Sequence, residues 1–331
     1  MEFCWNLPVF PLGGFCEIYN RNINHSLLAE NNGFDSVLVS SLPKSLDPWI
    51  LATKVAEKTK KCRILVAQNT NSITPISSAK ASNTLSLLSN GRIDLNIVTG
   101  SSKYEIAQET KYFNHNDRYK RTEEFMRIYR EVQKNITSYE GQYYNIEKTD
   151  LFPRVKKQPR LFIAGSSDEA ILAAAELGDY YITYATDFEQ LKEKVQLLRS
   201  ITNRNVPCGI FIDIIARESS EEAWIVAENL QNNFSSVNKK LATMYQNISD
   251  SVGILQAKSI KKSAIPLSPN LWGGLSKVST AVSISIVGSY KEVIECLKKF
   301  QAIGIEYFLL MGSPGDNEIE RIGQNIISYM K

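Results

Sequence analysis

Two histidines and five cysteines are all that this chain of 331 residues offers a transition metal. His25 and His115 stand far apart, and Cys4, Cys16, Cys62, Cys208 and Cys296 form no C-x-x-C pair and no Cys/His ligand spacing. A metal site is therefore not expected. The odd cysteine count and the scattered spacing suit reduced thiols and a cytoplasmic location. No apolar run approaches the ~18 residues of a membrane span, and MEFCWNLPVF lacks the basic start and long apolar stretch of a secretory signal. Charge of one sign is not in excess: 38 basic residues face 35 acidic ones. The lysine pairs at 60–61, 156–157, 239–240, 261–262 and 298–299 are spread along the chain, which reads as a solvated surface rather than a nucleic-acid face. A G-x-S-x-G elbow, a P-loop, a G-x-G-x-x-G turn and a pair of hydrolytic carboxylates are all missing.

Eight short runs rich in β-branched or aromatic residues are present, each followed by an amphipathic segment. They are Phe3–Val9, Ser36–Ser40, Arg63–Asn69, Arg92–Thr99, Arg160–Gly165, Tyr180–Tyr184, Gly209–Ala216 and Glu306–Gly312. Several are apolar almost throughout, as strands buried on both faces of a parallel sheet must be. Helices are expected at 118–135, 168–177, 187–200 and 290–302, with a C-terminal one near 316–330 packed on the first helix. Ser166 with Glu169, Ser219 with Glu222 and Ser289 with Glu292 have capping-box spacing. Eight alternating units predict an α/β fold, a (β/α)8 TIM barrel over 1–331 as one domain; an open doubly wound sheet is the alternative. Two connections are long. One holds an insertion around Ser138–Lys157. The other, between strands seven and eight, has a helical stretch near 219–247 and then a segment at 249–283 expected to be a mobile insertion.

In a barrel the chemistry sits at the C-terminal ends of the strands. Strand three runs into Gln68-Asn69-Thr70-Asn71, strand four into Thr99-Gly100-Ser101-Ser102, and strand five into Gly165-Ser166-Ser167-Asp168 and then directly into a helix. Gly165 permits close approach, the serines bring hydroxyls, and the amides of a helix N-terminus favour an anion such as a phosphate. Ser166 could equally be no more than the helix cap. Asp168 and Glu169 suit a first helical turn but would partly oppose a dianion. His115 lies four residues before Tyr119, so one helix face can carry both. Without metal ligands or an evident nucleophile, a bound cofactor is expected to do the chemistry.

Taken together, LSNGRIDLNIVTGSS (88–102), HNDRYKRTEEF (115–125), LFIAGSSDEA (161–170), RESSEEAW (217–224), SPNLWGG (268–274) and the GIEYFLLMGSP end resemble the bacterial luciferase-like flavin monooxygenases, in their alkanesulfonate monooxygenase-like branch. The resemblance implies FMN, as FMNH2, and O2, reacting through a C4a-(hydro)peroxyflavin. It also implies an NAD(P)H:flavin reductase as partner, a small-molecule substrate and a homodimer or homotetramer. Thr99, His115, Tyr119, Ser166 and Ser167 match flavin contacts of the family. Gln68 lies among the residues after strand three, and Asp47, in LDPW, matches an acidic residue after strand two, though it could cap the helix before Trp49. No acid or base is assigned.

The departures bear on the substrate pocket. Where alkanesulfonate enzymes carry arginine after their long loop, this chain has Ser279; a strand-seven arginine and histidine are replaced by Phe211 and Asp213; Tyr184 and Ser313 stand for a tryptophan and a tyrosine. A sulfonate needs charge-assisted donors. The expectation is an FMNH2-dependent two-component monooxygenase of a non-sulfonate organic substrate, such as a biosynthetic intermediate. An alkanesulfonate monooxygenase releasing sulfite, a deazaflavin-dependent oxidoreductase and a non-catalytic flavin-binding protein stay open as alternatives.

Overall fold

The computed structural model of the chain describes residues 1–9, 15–42, 45–100, 102, 106–108, 113–233, 240, 243–244, 247, 249–256, 268–277, 284–311 and 317–331. Its strands are β1 (Glu2–Asn6), β2 (Ser36–Val39), β3 (Arg63–Asn69), β4 (Ile93–Val98), β5 (Thr137–Glu140), β6 (Asn145–Thr149), β7 (Leu161–Ala164), β8 (Tyr180–Tyr184), β9 (Cys208–Arg217), β10 (Leu271–Trp272), β11 (Ser285–Ser289) and β12 (Ile305–Leu310). Eight of them run parallel in the order β1-β2-β3-β4-β7-β8-β9-β12, and β12 pairs back to β1, so the sheet closes into a (β/α)8 barrel. These eight are the expected strands, each within a few residues of its predicted ends.

Period two divides each strand between two cores. Cys4, Leu38, Leu65, Ala67, Phe162, Ile182, Tyr307 and Leu309 fill the barrel interior, with Phe211 packed against them. Their neighbours in sequence, such as Ile64, Val66, Ile163 and Ile210, join the larger core under the helices. A polar plug closes the N-terminal end. Asp94, 1% exposed, takes Arg63 Nε at 2.6 Å and Arg160 Nη2 at 2.8 Å, and Arg160 also reaches Glu2 at 3.1 Å. The opposite end is left for the site.

The helices begin where the sequence supplies caps. Asp47 Oδ1 accepts the amides of Trp49 and Ile50 at 3.0 and 2.9 Å, with Pro48 in the first helical position of Pro48–Lys58. Thr74 caps Pro75–Leu88 and Asn114 caps His115–Lys134. Ser289 and Glu292 form the expected reciprocal box on Tyr290–Ala302. At the fifth barrel strand the expected box moves by one residue: Ser167, not Ser166, caps Asp168–Leu177. The C-terminal stretch from Glu318 to Met330 is helical, includes a π-helical turn at Gly323–Ile327, and lies against Phe15–Asn31.

The first insertion is an antiparallel hairpin, β5–β6. The second is more structured than a plain connector. After the helix Ser220–Asn233, the pair β10–β11 adds to the sheet, and β11 runs parallel to the upper half of β9, from Asp213 to Arg217. Residues 257–267 and 278–283 of the expected mobile segment, Ser279 among them, lie outside the described residues.

Candidate functional site

Three strand ends and one helix build the site. After β4, Thr99 is followed by Gly100 at φ +84°, a left-handed turn that favours glycine. The Thr99 carbonyl accepts Asn71 Nδ2 at 2.9 Å, and Asn71 Oδ1 accepts Arg121 Nη1 at 2.7 Å, which ties β3 and β4 to the His115–Lys134 helix. After β7, Gly165 and Ser166 lead to Ser167, whose hydroxyl accepts the Ala170 amide at 3.4 Å.

Tyr119 closes the group. Only 5% exposed, its hydroxyl stands near the Ser167 and Thr99 side chains. It also lies over Gly165, where an added Cβ would stand 2.4 Å from the Tyr119 oxygen. Glycine is required here by close approach rather than by φ. Burial pushes the Tyr119 phenol up, against the opposing pull of the Ser167 and Thr99 hydroxyls, so it stays neutral. The His115 ring sits 5.0 Å from the Tyr119 ring, centroid to centroid, with Nδ1 3.9 Å from Glu169 Oε2. Burial alone would raise the Glu169 carboxyl. A backbone amide, the Ser167 hydroxyl and His115 outweigh it and hold the group below its ordinary value.

On the other side Ser166 Oγ meets Thr183 Oγ1 of β8 at 3.0 Å, and Lys194 Nζ donates to the Ser166 carbonyl. Tyr184 stands edge-on to Phe211, centroids 5.6 Å apart. Over both serine and tyrosine lies part of the second insertion: a Cβ on Gly253 would be 2.5 Å from the Tyr184 ring and 3.0 Å from Ser166 Oγ. That segment is fastened by Arg118, 1% exposed, whose Nη1 and Nη2 donate to Asp250 at 2.9 and 2.8 Å. A bridge between Ser102 and Ser249 adds a backbone contact.

Thr99, His115, Tyr119, Ser166 and Ser167 are thus brought together, while two sequence candidates stand elsewhere. Gln68 alternates with the interior residues Leu65 and Ala67 and faces the helices, accepting Trp49 Nε1 and Ser78 Oγ at 3.1 Å each. Asp47 is exposed and serves as the helix cap described above. Phe211 belongs to the interior cluster, so Asp213, two residues on and 1% exposed, shares its face; its Oδ1 accepts the Ile214 amide at 3.0 Å. Lys194, Thr183, Arg118 and Asp250 were not legible as site residues, because each reaches the group only through tertiary packing.

The donor set fits a phosphate-bearing flavin. The turn stands at the N-terminal end of the helix Asp168–Leu177, Ser166, Ser167 and Tyr119 bring hydroxyls, and Lys194 brings a cation. Both carboxylates of the first turn have a positive or protonatable neighbour, His115 at Glu169 and Lys194 at Asp168.

A model of the luciferase-like monooxygenase family matches residues 1–307. Among solved structures, an EDTA monooxygenase from Chelativorans sp. BNC1 is similar, at 17% identity, over 100% of this chain and 93% of that one, with a TM-score of 0.77. The oxygenating constituent of 3,6-diketocamphane monooxygenase from Pseudomonas putida, in complex with FMN, is 16% identical over 98% and 97%, TM-score 0.71. A secondary alcohol dehydrogenase dependent on the deazaflavin F420 is 18% identical over 99% and 98%, TM-score 0.72. At these identities the likeness speaks for the fold.

Proposed function

Because the chain belongs to the luciferase-like monooxygenase family, whose members are flavin-dependent oxidoreductases, we propose that it is the oxygenase of a two-component system, using FMNH2 from a separate NAD(P)H:flavin reductase on a non-sulfonate organic substrate. The observation that carries this is the Tyr119 hydroxyl, seated on Gly165 and standing beside Ser167 and Thr99 at the N-terminal end of Asp168–Leu177. Ser166, Ser167 and the helix amides would hold the flavin phosphate, and His115 and Tyr119 would flank it. When bound, the reduced flavin supplies the activation of dioxygen. The protein's part is to orient it, to donate from a neutral Tyr119 and to keep water away. Residues 249–256, packed on Ser166 and Tyr184, suit the last task. Phe211 and Asp213 line the substrate side, and the Asp213 carboxylate favours neutral or cationic substrates over sulfonates.

An F420-dependent relative of similar fold keeps a second reading, hydride transfer to or from a deazaflavin without oxygen. Anaerobic titration with FMNH2 and with reduced F420, followed by oxygen-electrode traces with a flavin reductase present, separates the two. The expected result is FMNH2 binding and oxygen uptake. Preference for reduced F420 with no oxygen uptake would overturn the proposal.

A further inference from the structure

We propose that Asp213 and Ser285, side by side where β9 meets β11, form a two-acceptor clasp for the ammonium group of the substrate, so that the substrate class is an alkylamine whose protonated nitrogen keeps at least two N–H donors. The inference rests on the non-sulfonate reading above and narrows it from neutral or cationic substrates to amines.

Strand register places the pair. β11 runs parallel to β9 with Ser285 opposite Asp213 and Val287 opposite Ile215, and the Asp213 amide donates to the Ile284 carbonyl at 2.9 Å. Register partners in such a ladder share a face. Ile215 and Val287 show it, since both belong to the apolar cluster with Ala223 and Ala227, while Ile214 and Ile286, on the opposite face, join the core beneath the barrel helices. Asp213 and Ser285 are thus neighbours, 1% and 0% exposed. Yet no direct hydrogen bond joins them: among the described residues the Ser285 hydroxyl has no partner. A buried hydroxyl left in that state is costly and asks for an explanation. One atom that donates two hydrogen bonds, one to the carboxylate and one to the hydroxyl oxygen, supplies it. A water and an ammonium both qualify. A charge-assisted hydrogen bond to a carboxylate is roughly twice as strong as a neutral one, which favours the ammonium.

The approach to the clasp is apolar and leads from the barrel mouth. Phe211 lies one interior step below Asp213, only half-buried, with the half-buried Tyr184 edge-on to it at 5.6 Å between centroids. An alkyl chain laid on these two rings has its terminal nitrogen at the upper half of β9. Beyond the clasp stand Ile215, Val287 and Trp272, which shut water out on that side and so strengthen an ionic contact. An alcohol of the same length offers one donor and cannot serve both acceptors; a sulfonate offers none. An alkylamine of about lysine's basicity, near 10.4, is protonated at neutral pH. A merely structural pair would be bridged by water and would ignore both the charge and the N–H count of whatever lies on Phe211.

The test is titration calorimetry of the wild type, Asp213→Asn and Ser285→Ala with octylammonium, octanol, octyltrimethylammonium and octanesulfonate, with thermal unfolding of each protein. The wild type is expected to bind octylammonium saturably, about tenfold or more tighter than octanol. Octyltrimethylammonium, which keeps the charge but has no N–H, should bind no better than octanol. Asp213→Asn should weaken octylammonium by about 10- to 100-fold, the span of a hydrogen bond to a charged group, and leave octanol unchanged. Ser285→Ala should weaken it by about 3- to 10-fold, the span of a neutral hydrogen bond. If octylammonium and octanol bind alike, or trimethylation costs nothing, the pair is structural and the inference fails, while the non-sulfonate reading stands so long as octanesulfonate is refused. Saturable binding of octanesulfonate would overturn that reading and the clasp with it. Should Asp213→Asn not fold, the order of the four ligands in the wild type and the loss in Ser285→Ala decide the matter.

Discussion

Gly165 and Tyr119 show how little room the site leaves at single atoms. A Cβ on residue 165 would sit 2.4 Å from the Tyr119 oxygen and 2.6 Å from the Ala170 Cβ, and neither neighbour is the loose end of a flexible chain. Gly165→Ala should therefore displace the Tyr119 hydroxyl from its place beside Ser167 and Thr99, at about 1–3 kcal/mol of overpacking strain. The expected outcome is a folded protein of lowered melting temperature whose FMNH2 affinity drops at least tenfold, read by anaerobic titration; unchanged affinity would remove Tyr119 from the flavin site. Ser167 carries two duties, because it is the cap as well as a neighbour of Tyr119. Ser167→Ala is expected to cost about 1 kcal/mol of stability through the lost cap in addition to weakened flavin binding. Ser166→Ala, which removes only the Thr183 partner, should leave the melting temperature nearly unchanged. The opposite order in calorimetry would return the cap to Ser166.

The strands were legible because burial on both faces writes itself into composition: RILVAQN and LFIA are buried nearly throughout, and no surface strand would tolerate that. Period two also carries the placement of Gln68, since Leu65 and Ala67 point inward. The cap at Ser167 was not legible, because two adjacent serines offer the same hydroxyl and only the extended backbone of residue 167, at φ −89° and ψ 166°, chooses between them. β11 went unread because serines at 283, 285 and 289 mask its alternation, and its partner, the upper half of β9, is distant in sequence. Arg118 with Asp250 is the same kind of case, a tertiary pair with no local signal. Asp250→Asn should loosen residues 249–256 from Ser166 and Tyr184, leave FMNH2 binding in place and raise hydrogen peroxide release per oxygen consumed. Unchanged coupling would deny the segment a covering role. A second element joint titrates. Glu30, at the end of Phe15–Asn31, accepts the amides of Lys60, Lys61 and Cys62 at 2.6–3.1 Å. Burial works to raise it, but the three amides and Arg92 win and hold it low. A carboxylate lowered in the fold contributes stability above its unfolded pKa, about 4.3, and loses it as pH falls through the folded value. Glu30→Gln should cost about 1 kcal/mol at neutral pH, with the gap to wild type closing in acid unfolding experiments below pH ~4. A gap that stays constant with pH would mean the joint is not carried by the charge.

At the scale of the whole molecule, the barrel sets one closed end against one open end, and β9 is the strand that reaches from the first to the second. Its lower half, Cys208 to Ile212, pairs with β8 and β12; from Asp213 upward it pairs with β11 of the insertion. The interior face of β9 thus passes from Gly209, where Tyr307 crowds in, through Phe211 to Asp213 just where the insertion begins. This is the position from which a side chain can meet both barrel contents and whatever the insertion covers. A sulfonate there would have to give up hydration to a carboxylate, and the strand's one guanidinium, Arg217 at its far end, is already paired with Glu318. The wild type is therefore expected to show no saturable binding of octanesulfonate. Exchanging Asp213 for His and Ser279 for Arg together should begin to admit it, with each charge-assisted contact contributing about 10- to 100-fold in affinity. Asp213→Asn is the control that separates charge from shape: it keeps the side-chain outline and an acceptor for the Ile214 amide. If Asp213→Asn unfolds the barrel, the carboxylate is a structural anchor between β9 and its neighbours. If it folds and sulfonates are still refused, shape rather than charge sets the preference. Micromolar binding of octanesulfonate by the wild type would end the non-sulfonate reading and restore the alkanesulfonate one, with the flavin site untouched.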